Sequence, residues 1–289
     1  MPKRSKIINF FKYICKKCLG YKLDNWKIGI SEKNLNDFDL DEIKFFKHGF
    51  AEYWADPFYL RDNSKEYIFF ERYSYIDGKG CISVGELKNS KLINVEDIII
   101  KKYHLSYPFI FKSKNNFFLI PETHESKRLE IYTADKFPYK WKLLSTAFNG
   151  KILADPTIIS IGNEHWLFVN ETTNKTDELN ENLNIYKIED LLIKNYKPHN
   201  NNPVIKNLNG GRNAGKIEKI NGKLIRPSQI NKKNEYGFGL RISEIEKINL
   251  FEFKEKLLRE VVPSKNSKIK GIHHLSFGDG KIIVDCNFK

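Results

Sequence analysis

Cysteine and methionine are nearly missing from this chain of 289 residues, which has four cysteines and a single methionine at its start. Cys15, Cys18, Cys81 and Cys286 are too few and too scattered for a disulfide framework. Cys15 and Cys18 have the spacing of half a zinc site, but no second Cys or His pair of matching spacing follows, so no metal is expected. Long apolar runs are lacking too. The run Ile7-Ile8-Asn9-Phe10-Phe11 is broken by Lys12 and too short for a secretory leader, and no later segment approaches the roughly 20 apolar residues of a spanning helix. On these grounds the chain reads as cytoplasmic, with peripheral contact at the inner face of a membrane as its only membrane role. There is no glycine-rich phosphate loop, recognition-helix pattern or aromatic RNA-binding signature, so neither a cofactor nor a nucleic-acid partner is expected. The acidic string Asp37-Phe38-Asp39-Leu40-Asp41 has the letters of a metal-dependent transferase motif, but it sits in a polar lead-in and reads as solvated surface.

Positive charge is abundant: 49 Lys and Arg against 36 Asp and Glu, a net +13. Part of it is background, since Lys and Asn are frequent throughout; the rest favours anionic partners such as phosphorylated sugars or acidic lipid. Residues 3 to 20 place Ile7, Phe10, Phe11 and Ile14 on one helical face among Lys3, Arg4, Lys6, Lys12, Lys16 and Lys17. That is the pattern of a short helix lying on an anionic bilayer, or of a solubilising tail packed on the domain. Residues 1–25 are therefore set apart from a single domain over 26–289.

Aromatic residues are also frequent (13%), which suits β structure better than a helical bundle. Trp54-Ala55-Asp56-Pro57-Phe58 precedes the strand-like run Tyr67-Ile68-Phe69-Phe70-Glu71. The phrase returns as Ala154-Asp155-Pro156-Thr157 before Trp166-Leu167-Phe168-Val169, with a variant Ser106-Tyr107-Pro108-Phe109 between them. Proline fixes its own φ and favours an extended residue before it, which would hold each acid at a strand entrance. Repeat starts near Asp56, Pro108, Asp155, Ala214 and His273 are spaced by about fifty residues, the length of a four-stranded blade. The expected fold is all-β, a five-bladed β-propeller with a short basic N-terminal helix; the alternative is a pair of β-sandwiches. Trp26 to Ile30 reads as a first strand, Asn221-Gly222 as a hairpin turn, and Ile188 to Ile193 and Ile242 to Leu250 as short helices.

Trp54 to Phe58, Gly78-Lys79-Gly80-Cys81-Ile82-Ser83-Val84 and Tyr103 to Phe109 resemble the N-terminal domain of glucosamine inositolphosphorylceramide transferases. So do Ile120-Pro121-Glu122-Thr123, Ala214-Gly215-Lys216, Arg226-Pro227-Ser228-Gln229, Tyr236-Gly237 and Ile242-Ser243-Glu244-Ile245, in order from about Trp26 to near the C-terminus. In the plant proteins a separate nucleotide-sugar transferase domain follows this module. The resemblance implies a five-bladed propeller similar to arabinanases and furanosidases, and a role in glycan or glycolipid assembly.

Glycosidases of that type place a base, an acid and a helper carboxylate in the funnel, one to activate the attacker and one to protonate the leaving oxygen. By this resemblance Asp56 matches the base and Asp155 the helper. The fourth repeat, Arg212-Asn213-Ala214-Gly215-Lys216, lacks the expected acid, for which Glu122 or Glu171 could substitute. The later repeats offer Arg212, Lys216, Arg226, Gln229 and His273 as a cradle for a donor phosphate. Trp54, Glu71, Lys79 and His104, in or beside the shared phrases, are further candidates for substrate binding. Each has a plainer reading: Asp before Pro caps turns, His104 and His273 pin loops, and Arg226 pairs with Asp155 or Glu122. The favoured function is a glycosyltransferase of bacterial-type surface polysaccharide or glycolipid biosynthesis. It would use a phosphate-activated sugar donor, a glycan or glycolipid acceptor, and Asp56, Glu122 and Asp155 as catalytic carboxylates. The alternatives are a glycoside hydrolase and a non-catalytic glycan-binding module.

Overall fold

The computed structural model describes residues 3–21, 23–172 and 176–289. A helix, α1 (Lys3–Cys18), is followed by β1 (Trp26–Ser31) and the two-residue β2 (Lys44–Phe45). The first full sheet runs β3 (Glu52–Asp62), β4 (Lys65–Ser74), β5 (Lys79–Lys88) and β6 (Lys91–Ile99). The second runs β7 (Ser106–Ser113), β8 (Asn116–Glu122), β9 (Leu129–Lys136) and β10 (Lys140–Ala147). The third contains β11 (Ile152–Ile161), β12 (Glu164–Thr172), β13 (Asn182–Ile188), β14 (Tyr196–Pro198) and β15 (Ile205–Lys206). The fourth contains β16 (Asn209–Asn213), β17 (Glu218–Ile220), β18 (Lys223–Lys232), β19 (Glu235–Ile248) and β20 (Phe253–Val261). The fifth is closed by both ends of the chain, in the order β2-β1-β22-β21, with β21 (Ile269–Gly278) and β22 (Lys281–Phe288). Together they form a five-bladed β-propeller with one short N-terminal helix.

Local chemistry explains the hairpins. Asn221-Gly222 has φ of 50° and 83°, and Asp279-Gly280 has 47° and 74°. Two consecutive positive φ values give the turn whose twist matches the flanking strands. The middle strands are buried on both faces, with Ile68, Phe69 and Phe70 in β4 and Leu167, Phe168 and Val169 in β12. They pack blade against blade in four apolar clusters. Outermost strands β6, β10 and β20 expose much of their length, including Lys91, Lys142 and Lys254, whose charges blunt free sheet edges against pairing with another chain.

Three expectations need correction. Ile242 to Ile248 lies in β19, paired on both sides, and its helix-like spacing comes from register shifts after Ile242 and Ile245 that reset the strand alternation. Ile188 ends β13, and Asp190 to Ile193 is a turn in which Asp190 Oδ1 accepts from Leu192 N at 2.7 Å. The residues before Pro57, Pro108 and Pro156 are not extended: Asp56, Tyr107 and Asp155 have φ of 52°, 45° and 50°.

The fifth blade depends on the first strand. β1 pairs with β22 from Trp26↔Asn287 to Ser31↔Ile282. Deleting residues 1–45 should leave β22 an open edge and abolish cooperative thermal unfolding by circular dichroism, whereas deleting 1–21 should keep it. Equal melting curves for the two truncations would contradict this closure.

Candidate active site

At the same level in every blade, the innermost strand breaks register with the second. The shifts fall between Ala55 and Phe58, Ser106 and Phe109, Ala154 and Thr157, Asn209 and Asn213, and Ile272 and His274. Each is a bulge, which re-aims a side chain where regular pairing would bury it in the sheet. The bulged residues include Asp56, Tyr107, Asp155 and His273. Opposite the residues just before the first three bulges stand Glu71, Glu122 and Asn170 on the second strands. Acids thus reach the axis from both strands of a blade.

Asp285 on β22 is fully buried and holds the fifth blade to the first. Its Oδ1 accepts from His273 N (3.2 Å), His274 N (3.0 Å) and His273 Nδ1 (2.7 Å), and its Oδ2 from Asp56 N (2.8 Å). Asp56 Oδ2 accepts from Tyr107 N at 3.0 Å, while Asp56 Oδ1 lies 3.8 Å from His273 Nε2 and 3.5 Å from His274 Nδ1. Burial alone would raise the Asp56 pKa, but the adjacent His274 and His273 rings hold it below the ordinary value. For His273, burial is outweighed by Asp285 and Asp56, so its pKa is raised. The ring of His273 stacks on Trp26 at 3.9 Å and meets Tyr236 edge-on at 5.2 Å. Asp56, His273 and Asp285 bring potential metal-ligand atoms within 4.8 Å of one another. Both Asp285 oxygens already accept backbone amides, so the cluster stands as a hydrogen-bonded web.

Across the funnel, Arg212 binds two carboxylates. Its Nε meets Asp155 Oδ2 at 2.7 Å, one terminal nitrogen meets Glu122 Oε2 at 3.3 Å, and the other meets Asn180 Oδ1 at 2.9 Å. Glu122 Oε1 also lies 2.7 Å from His124 Nδ1. Against burial, the His124 bond and the Arg212 charge pull the Glu122 pKa down to about 2. Asp155 goes the other way: burial and the charges of Glu122 and Asp56 outweigh Arg212 and raise its pKa well above the usual range. Glu71 is raised well above it too, first by burial and then by the charges of Asp56 and Glu122. Among the described residues, no Lys or Arg pairs with Glu71. Its Oε1 has no hydrogen-bond partner and lies 3.4 Å from Nε2 of His104, whose Nδ1 accepts from Gly80 N at 2.9 Å. Burial lowers the His104 pKa and keeps that ring neutral. Gly80 is needed here, because a Cβ would stand 2.6 Å from Glu71 Oε1 and 2.5 Å from Leu105 O.

These groups surround a cavity of about 170 Å³ lined by Asp56, Glu71, His104, Glu122, Arg212 and His273, with Trp26, Tyr53 and Tyr236 among its walls. A family model described as "Glucosamine inositolphosphorylceramide transferase 1, N-terminal" matches residues 44–275. The chain belongs to this family. Relatives named glucosamine inositolphosphorylceramide transferase 1 from rice (indica) and Arabidopsis thaliana are 30% and 31% identical over 209 residues, 71% of this chain. The chain spans only 28% and 27% of their lengths. Among solved structures, a family 117 glycoside hydrolase from Zobellia galactanivorans is similar with a TM-score of 0.58 and 11% identity, over 92% of this chain and 90% of that one. An exo-β-1,3-galactanase from Clostridium thermocellum gives 0.57 and 11%, over 82% and 59%. These likenesses show a shared fold. The cytoplasmic expectation is corrected: it follows only from missing apolar runs, and the kinship with plant proteins named glucosamine inositolphosphorylceramide transferase 1 speaks against it.

Of the residues singled out from sequence, the cavity brings together Asp56, Glu71, His104, Glu122, Arg212 and His273. Asp155 lies just beneath it, bonded to Arg212. The rest are elsewhere. Arg226 is fully buried inside the fourth blade, where Nε meets Glu255 Oε2 at 2.8 Å and a terminal nitrogen donates to Gly210 O at 2.7 Å. Lys216 pairs with Glu218 at 2.7 Å beside a groove lined by Tyr59 and Phe277, at the far ends of β3 and β21. Lys79 bonds Lys101 O, Trp54 packs on Phe70, and Gln229 braces Asn213 O and the Tyr236 hydroxyl. Glu171 is tied to Lys151 and Tyr186. Asp285, His124, Trp26 and Tyr53 were not anticipated; only Asp285 left a trace, a lone acid in the apolar run Ile282 to Cys286.

Replacing Asp285 by Ala strips four donors of their acceptor and leaves His273 buried without its closest carboxylate. A loss of about 2–5 kcal/mol in chemical denaturation is expected, with an unchanged m-value. A loss under about 0.5 kcal/mol would contradict the role of Asp285 as the hub of the web.

Proposed function

We propose that the cavity takes a terminal sugar of a glycan or glycolipid and that Asp56 and Glu71 act on its glycosidic bond as base and acid. The observation that carries this reading is the opposite setting of two carboxyls around one small cavity. Asp56 stands beside two histidines and has its pKa lowered, whereas Glu71, buried among other carboxylates with Oε1 unpartnered, has its pKa raised well above the usual range. Such a split separates acid from base in carboxylate catalysis. Asp56 would take the proton of the attacking hydroxyl, Glu71 would give its proton to the leaving oxygen, and the old C–O bond would break as the new one forms. With a sugar hydroxyl as acceptor the reaction is glycosyl transfer, in keeping with the relatives' names; with water it is hydrolysis. Trp26, Tyr53 and Tyr236 supply aromatic walls for a sugar ring.

Support for a phosphate-activated donor is weak in this geometry. Such a donor needs free cations, and among the described residues the only Arg or Lys lining the cavity is Arg212, already committed to Asp155 and Glu122. A non-catalytic glycan-binding module is the second reading. It is favoured by Arg212 standing where the resemblance led us to expect a third acid.

The test is turnover of a panel of aryl glycosides and oligosaccharides, with binding followed by calorimetry. Asp56→Asn should cut turnover at least about 10³-fold and keep binding. Glu71→Gln should be as damaging on ordinary glycosides and much less so on dinitrophenyl glycosides, whose leaving group needs no proton. Wild-type activity should fall as pH rises through the elevated Glu71 pKa. Sugar binding without turnover by the wild type would select the binding module, and absence of both would overturn the reading.

The same elevated pKa has a stability consequence. A buried carboxyl raised in the folded state binds more protons folded than unfolded, so its contribution is fully present below the unfolded value of about 4.3 and is lost as pH rises through the folded value. Glu71→Gln should therefore melt at the same temperature as the wild type near about pH 4, and above it at neutral and higher pH. A variant that melts lower at every pH would show that Glu71 is charged and paired in the native protein.

A further inference from the structure

Helix α1 has two unlike faces. On one, Asn9 Nδ2 donates to Ile76 O at 3.1 Å, Lys6 pairs with Asp77 at 2.7 Å, and Tyr13 packs against Phe50 and Tyr75 with ring centres 5.4 and 5.1 Å away. Those partners belong to the loop before β3 and to the β4–β5 turn. Asp56 lies near the start of β3 and Glu71 near the end of β4, so α1 rests on the mouth face of the propeller. On the other face Ile7, Ile8 and Phe11 are 57%, 46% and 62% exposed, and Phe50 beside the helix is 61% exposed. Contiguous apolar side chains left in water mark a contact surface. The helix sequence contains no acidic residue, and its Lys12, Lys16 and Lys17 are exposed. The family match begins at residue 44, so α1 lies outside it.

We propose that this face of α1 docks on an anionic bilayer and so turns the mouth of the acid cavity towards the membrane. Apolar side chains at the headgroup boundary, flanked by lysines, supply both the burial and the charge complementarity such docking needs. Between helix and propeller lies a second cavity of about 740 Å³, with Tyr13, Lys17, Tyr21, Phe50 and Lys270 in its lining. It shares Asp24 with the acid cavity, so the two spaces lie side by side beneath the helix. A sugar displayed at the bilayer surface would then enter without the protein leaving it. That last step rests on the glycosyl reading above; the docking does not.

The experiment is co-sedimentation of the full chain with vesicles of phosphatidylcholine alone or with a third of phosphatidylglycerol, at low and high salt. The wild type should bind the anionic vesicles, and salt should weaken the binding. The double variant Ile7→Asn, Phe11→Asn changes only exposed positions and should lose at least about tenfold in partition coefficient. Lys12→Glu with Lys16→Glu should lose about as much. Lys114→Glu, in the β7–β8 turn at the opposite end of the blades, should bind as the wild type does. No binding by the wild type, equal binding by the Ile7/Phe11 variant, or equal loss in Lys114→Glu would overturn the docking. A lipid-free dimer dissolved by the Ile7/Phe11 changes would instead assign the patch to self-association. Vesicle binding with no glycosyl turnover would leave the docking standing and count against the catalytic reading alone.

Discussion

Five blades meet at a ring of hydrogen bonds formed where each inner strand breaks from its neighbour. Asp56 N donates to Asp285, Tyr107 N to Asp56, and the Tyr107 hydroxyl pairs with Thr157 Oγ1 at 2.9 Å. Asn213 Nδ2 donates to Asp155 O at 2.9 Å, and Leu275 N to Ala214 O at 2.8 Å. The ring thus passes from blade to blade and closes. The Tyr107 hydroxyl also donates to Gly215 O across the axis at 3.0 Å. Gly215, at φ 134°, admits this crossing, because a Cβ there would stand 2.1 Å from Leu275 O. Bulges free the backbone groups that make these links, and the same bulges aim the acids at the axis. Fold closure and site assembly therefore share one set of atoms.

The electrostatics follow from that crowding. Several carboxylates drawn to one axis cannot all be charged without compensation, and burial sharpens the conflict. The protein resolves it unevenly. Arg212 and His124 neutralise Glu122, His273 and His274 hold Asp56 ionised, and Glu71 is left with a neutral histidine. The cations nearest the axis are thus committed to acids, which is why a basic chain, +13 overall, has an acid-lined cavity. Its surplus positive charge lies elsewhere, including on α1.

The fold was legible because its repeat is carried by residues that punctuate strands: Asp56-Pro57, Tyr107-Pro108 and Asp155-Pro156 mark three blades at one level. The closing strand β1 was legible as a strand but not as a blade member, since its partner β22 lies more than 250 residues away. Of the site, inner-strand residues next to a turn motif were readable. Glu71 was visible but its raised pKa was not, because that comes first from burial and then from the charges of Asp56 in its own blade and Glu122 in the next. Arg212 and Arg226 look alike in sequence; only the blade that each faces separates the axial pair with Asp155 from the buried pair with Glu255. Asp285 and Trp26 reach the site from opposite ends of the chain and share no motif with it.

The central claim is that Glu71 carries a proton at neutral pH while Asp56 beside it does not. The difference infrared spectrum between wild type and Glu71→Gln at neutral pH tests it directly. The account predicts a protonated carboxyl C=O stretch in the wild type that the variant lacks and that disappears at strongly alkaline pH. Carboxylate stretches alone in that difference, with no protonated carboxyl band, would contradict it.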